Sequence, residues 1–127
     1  MQAQRLQSES NYEEPAIDPA RTELARRPNV VVKLGGLGMY VTASIGGAGS
    51  DRPSSQLATK WQPYVKTCIE AFGVQRCMFK SNFPVDGATC SYGALWNSFK
   101  SIVAAHSENA KTELFSGTAA RIYRLNP

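Results

Sequence analysis

Apolar residues fall into two patterns along this chain. In two short stretches they are continuous: Val30-Val31-Val32, followed by Lys33-Leu34, and Cys77-Met78-Phe79, followed by Lys80. In two longer stretches they recur every three or four positions. The first holds Leu57, Trp61, Tyr64, Val65, Cys68, Ile69 and Phe72; the second holds Leu95, Trp96, Phe99, Ile102 and Val103. Continuous runs predict strands covered on both faces, as in parallel sheets. Helical spacing predicts helices with one apolar stripe toward a core.

Punctuating residues place the boundaries. Asp18-Pro19 reads as a helix start, with Ala20 to Arg27 as its body and Pro28 as its end. Asn29 to Leu34 then reads as a strand that runs into Gly35, Gly36 and Gly38. Ser54 or Ser55 is the expected cap of a second helix, which Gly73 stops after Phe72. Pro63 inside it predicts a late start or a kink. Arg76 to Lys80 is the second strand. Ser91 is placed to cap a third helix and Ser107 a fourth over Glu108 to Phe115. Gly117-Thr118 is expected to turn the chain into a last short helix near Leu125.

The order is helix, strand, helix, strand, helix, helix. That is an α/β chain built on a parallel βαβ unit. Two parallel strands with flanking helices leave open sheet edges, so the pattern predicts a part of a larger sheet or an oligomer. Residues 1–17 are polar and without periodicity, which predicts a disordered leader; residues 18–127 carry the fold. The glycine- and serine-rich stretch from Met39 to Ser54 predicts a long loop.

Composition narrows the function classes. The chain has 127 residues, 43% of them hydrophobic, and no apolar run of membrane-spanning length. Its first residues lack the apolar centre of a signal peptide, which predicts a cytoplasmic location with no membrane partner. The net charge of +4 is spread along the chain without a basic block, so no nucleic-acid partner is expected. Cys68, Cys77 and Cys90 are odd in number and form no CxxC, as expected of reduced core thiols. His106 is the sole histidine, which excludes a histidine-rich metal site.

Chemistry gathers after the second apolar run, in Ser81-Asn82-Phe83-Pro84-Val85-Asp86. Asn82 suits either substrate orientation or a turn before Phe83-Pro84. Asp86 suits either a base or positioning carboxylate or a loop cap. Ser81 lacks a neighbouring histidine and is not expected to be a nucleophile. Gly35-Gly36-Leu37-Gly38 lacks the ending of a phosphate loop and reads as a turn at a strand mouth.

Three stretches together carry a family likeness: NVVVKLGGLGM from Asn29, WQPYVKTCIEAFGVQRCMFKSNFPVD from Trp61, and the segment from Ser91 that ends in GTAARIYRL at Leu125. They resemble the C-terminal end of the amidohydrolase-related family, metal-dependent TIM-barrel hydrolases that include lactonases. The resemblance implies a C-terminal fragment of a (β/α)8 barrel holding the last two strands. Complete relatives would hydrolyse C–O or C–N bonds in small carbonyl substrates, with a divalent metal held by residues outside this chain. No metal ligand is expected here. The family position that often carries an acid in a motif like GSDWP is Asn82, which cannot act as a general base.

In such a barrel, strand alternation would send Asn82, Lys80 and Met78 inward, with Val31 and Lys33 inward on the other strand. The candidate site is therefore Asn82 as a catalytic residue that orients the substrate, with Lys33, Ser81 and Asp86 as substrate-binding residues. Lys33 suits either a carboxylate anchor or an ion-pair partner. Lys33 and Lys80 are expected on one side, where unpaired like charges about 4 Å apart would repel by roughly 4 kcal/mol at an effective dielectric near 20. The isolated chain is expected to be inactive. The alternative is a non-enzymatic remnant that self-associates or binds a partner through open barrel edges.

Overall fold

A computed structural model of the chain describes residues 19–39 and 52–125. The predicted cap at Asp18, the leader and most of the long loop lie outside the described residues. The order is α1 (Pro19–Ala25), β1 (Val32–Leu34), α2 (Ser54–Phe72), β2 (Cys77–Phe79), α3 (Tyr92–Ile102) and α4 (Glu108–Thr112). A π-helical turn (Glu113–Gly117) then leads into α5 (Thr118–Ile122). The two strands are parallel and paired in register, Val32 with Cys77, Lys33 with Met78 and Leu34 with Phe79. Both are shorter than the expected strands, Asn29 to Leu34 and Arg76 to Lys80, and each ladder end passes into a tight turn.

The helices cover one face of this ribbon. Leu34, Cys77 and Phe79 join Leu57, Trp61, Val65, Leu95, Phe99 and Leu114 in a single buried cluster. Phe99 lies at its centre, stacked on Phe79 at 4.3 Å and edge-on to Trp96 at 5.5 Å. Burial of this kind contributes about 3–5 kcal/mol for one phenylalanine.

Several boundary expectations hold. The Ser91 and Ser107 hydroxyls accept from the Ala94 and Ala110 amides at 3.1 Å, each capping its helix. Gly73 ends α2 at φ 84°, its amide donating to Ile69 O at 2.8 Å. Others do not hold. Pro53 occupies the cap position of α2 and no serine side chain caps it. That helix also runs on through Pro63, which is exposed, so the carbonyl it leaves without an amide partner belongs to exposed Thr59. Gly117 and Thr118 do not turn the chain. Both have helical dihedrals, and the π turn carries α4 into α5.

Two clamps lock the end of the sheet where the strands begin. The Arg76 guanidinium donates to the carbonyls of Ala25 at 2.7 Å, Arg27 at 2.8 Å, Val30 at 3.2 Å and Phe72 at 3.2 Å. It thereby joins the last turn of α1, the approach to β1 and the end of α2. On the other side of β2, Thr118 Oγ1 donates to Val74 O at 2.8 Å and to Glu113 Oε1 at 3.2 Å. Arg121 bridges Glu113 at 3.3 Å and Gln75 O at 2.7 Å.

Candidate functional site at the strand tips

The opposite end, where the strands finish, holds the polar residues. Lys80 N donates to Leu34 O at 3.0 Å and extends the ladder one residue past β2. Met78 is buried, yet it lies outside the helix-packed cluster that takes its neighbours Cys77 and Phe79. Alternation therefore places Met78 and Lys80 on the face away from the helices, with Lys33 in register beside Met78.

Past Lys80 the chain makes a tight loop. Asn82 adopts φ 59°, a conformation that asparagine tolerates better than most side chains. The peptide bond between Phe83 and Pro84 is cis. The Ser81 hydroxyl accepts from Phe83 N at 3.2 Å, which ties it into the loop and leaves its O–H as a donor. Asp86 N closes the turn by donating to Asn82 O at 3.0 Å.

Side chains then link this loop to the turn after β1. The Lys80 ammonium donates to Asn82 Oδ1 at 3.4 Å, and Asn82 Nδ2 donates to Asp86 Oδ1 at 2.8 Å. Gly38 N donates to Asp86 Oδ2 at 3.3 Å. Asp86 is only 1% exposed, and both its carboxylate oxygens are engaged. Thr89 Oγ1 donates to Gly38 O at 3.3 Å and tightens the same junction. The order Lys80, Asn82, Asp86, Gly38 forms one hydrogen-bonded chain across the tips of both strands.

The three glycines after β1 serve this junction. A Cβ on Gly38 would stand 3.1 Å from Asp86 Cγ, which forces the carboxylate away from the amide it accepts from. Gly36 has φ +78° and lies against the Asn82 amide. A Cβ on Gly35 would overlap Lys80 Cγ and lie 2.5 Å from Lys80 O.

The expected lysine conflict is absent. Lys33 and Lys80 do share a face, but Lys33 is exposed and its Nζ lies 5.3 Å from the Tyr123 ring centroid. Tyr123 follows α5, which is tied to the turn that precedes β2. Lys33 thus reaches toward the beginning of the sheet and Lys80 toward its end, and solvent screens their repulsion.

The three thiols belong to the core. All are free and buried. Burial pushes Cys77 up to about 12, with the neighbouring Cys68 adding to the rise and Arg76 opposing it. Burial also raises Cys68 and Cys90; Asp86 adds to the rise at Cys90. Among the described residues no three of His, Cys, Asp and Glu gather into a metal-binding group. Among the described residues the carboxylate at the strand tips is that of Asp86, whose oxygens accept from N–H donors, so these residues do not fit a metal ion.

Sequence reasoning missed Arg76, Gly38 and the seat of Lys80. Only Arg76 carried a signal, an arginine entering an apolar strand. The partners of the other two depend on which backbone lies across from them.

Comparison with known proteins extends the picture. The sequence model described as Amidohydrolase matches residues 3–125. The uncharacterised protein y4mH of Sinorhizobium fredii is 42% identical over 84% of this chain and 32% of its own length. The L-fucono-1,5-lactonase of Burkholderia multivorans is 33% identical over 84% of this chain and 34% of its own. Crystal structures of an amidohydrolase from Burkholderia multivorans, one with bound HEPES and one with bound Zn, superpose with a TM-score of 0.69 at 30% identity. They cover 83% of this chain and 35% of that protein. The chain spans about a third of the length of these relatives.

Proposed function

The chain belongs to the amidohydrolase family, and from that premise we propose that it supplies the last two strands of a (β/α)8 barrel whose complete form hydrolyses a lactone or a similar small carbonyl compound. The observation that carries this reading is the placement of Lys80, Asn82 and Asp86 at the C-terminal tips of parallel strands. Barrel enzymes assemble their sites at that end. The likeness to a fucono-lactonase supports a C–O bond in a sugar-derived ring as the target.

In this reading Asn82 orients the substrate carbonyl or the attacking water through its amide. It cannot remove a proton, so the base comes from elsewhere in the barrel. Asp86 does not touch substrate; it fixes the Asn82 amide and pins the turn after β1. Ser81 shapes the loop. The bound Zn of the crystallised relative supports a divalent metal in complete family members, where it would polarise a carbonyl or activate water. In this reading its ligands lie outside the described residues.

The test is a chimera in which this chain follows the first two thirds of the Burkholderia lactonase. We expect lactone hydrolysis, lowered tenfold or more in kcat by Asn82→Ala. A chimera that folds as a barrel but is indifferent to Asn82→Ala contradicts the role of Asn82.

A second reading rests on surface character. Ile122, Tyr123 and Leu125 are 41%, 50% and 59% exposed on one short segment, beside a two-stranded sheet with open edges. Such a chain could persist as a non-enzymatic module that self-associates through these faces.

A further inference from the structure

We propose that Lys80 is the carboxylate contact of this site, and that the site therefore takes small hydroxycarboxylates of the kind that lactone opening releases. The inference rests on the hydrolase reading for its choice of ligand and on geometry for its choice of residue.

Three observations select Lys80. First, Gly35, which faces it across the ladder, is bare where Lys80 needs room: any Cβ there would overlap Lys80 Cγ and lie 3.1 Å from its Cε. The aliphatic stem thus lies flat in a slot across the end of β1. Second, the ammonium at the end of that stem is held, at 3.4 Å, by Asn82 Oδ1. An ammonium has three donors, so two N–H groups beside Asn82 can receive an anionic oxygen. Third, alternation puts the half-buried Lys80 on the face away from the helices, at the end of the sheet where a barrel gathers substrate.

The neighbouring charges are compatible with an anion. Asp86 is the near carboxylate, but it is buried and its oxygens accept from Gly38 N and Asn82 Nδ2. Those donors offset much of its field at the open face. Lys33 shares the face but extends to Tyr123, so it is not the contact. A lysine that is half-buried, seated and singly held has lost part of its side-chain freedom before the ligand arrives, which favours binding.

The test is titration of the isotope-labelled 127-residue chain with sodium gluconate, followed by NMR. We expect saturable shifts confined to Gly35, Gly36, Lys80 and Asn82. Lys80→Met keeps the stem in its slot and should weaken binding tenfold or more. Lys80→Gln, a second removal of charge, should do the same. Lys33→Met should change affinity less than twofold. Raising salt should weaken gluconate binding to the unaltered chain. Absence of saturable shifts, equal affinity after either Lys80 change, or equally tight binding of sulfate would overturn the proposal. The two readings separate in the chimera: hydrolysis with a KM untouched by Lys80→Met keeps the hydrolase reading and removes this one. Gluconate binding at Lys80 with no hydrolysis by a folded chimera does the reverse.

Discussion

At the scale of single residues, the site is organised by what its polar groups spend on each other. Asp86 and Gly38 are engaged within the loop junction, and Asn82 commits one amide N–H and one lone pair there. Asn82 keeps a second N–H, and Lys80, the chain's end member, keeps two. The sequence made Asn82 visible, because a polar residue stood at the end of an apolar run. It could not show that Asp86 would turn inward, since four residues of loop allow either outcome. The thiols give a test at this scale. Cys77 is raised from the ordinary 9.0 to about 12. A raised thiol holds its proton in the folded state, so its stabilising effect is complete below pH 9. The effect is lost as pH climbs toward 12, because the unfolded chain ionises first. Urea unfolding should therefore show stability falling across that window. Cys77→Ala should flatten the fall by a few kcal/mol, at about 1.4 kcal/mol for each pH decade of that window. An identical slope in the variant would contradict the burial of this thiol.

At the scale of elements, the apolar periodicities of α2 and α3 were legible because burial imposes them. The serine caps of α3 and α4 were legible because a side-chain oxygen at that position satisfies an orphan amide. The passage from α4 to α5 was not. Gly117 suggests a turn in isolation, but here Glu113 folds over it, 3.0 Å from where a Cβ would stand, and binds Thr118 and Arg121. One extra residue in the helical turn brings Thr118 to the Val74 carbonyl. Thr118 is fully buried, so Thr118→Val should leave that carbonyl without its donor. A loss of about 1–3 kcal/mol is expected, measured by urea denaturation. No loss would show that the π turn does not secure β2.

At the scale of the whole molecule, the sheet is the informative feature. Among the described residues two parallel strands in register form the whole sheet, and the helices pack on its Leu34, Cys77 and Phe79 face. That incompleteness was legible in the strand count, since each run is continuous and the sequence offers only two. The identity of what completes the wall was not, because an edge strand accepts any backbone of suitable direction. Exposed Ile122, Tyr123 and Leu125 lie on the segment beside Lys33. Light scattering of the purified chain should show particles larger than one copy, dispersing toward monomer when Tyr123 and Leu125 are both replaced by serine. A clean folded monomer of the unaltered chain would contradict the open-edge account.

On the proposed reading this chain forms one wall of a hydrolytic site and does not catalyse by itself. The most direct measurement is the rate of L-fucono-1,5-lactone hydrolysis by the purified 127-residue chain, with and without added Zn. The expected rate equals that of buffer containing the same metal. Turnover well above that background, abolished by Asn82→Ala, would show instead that the catalytic groups are already present on this chain.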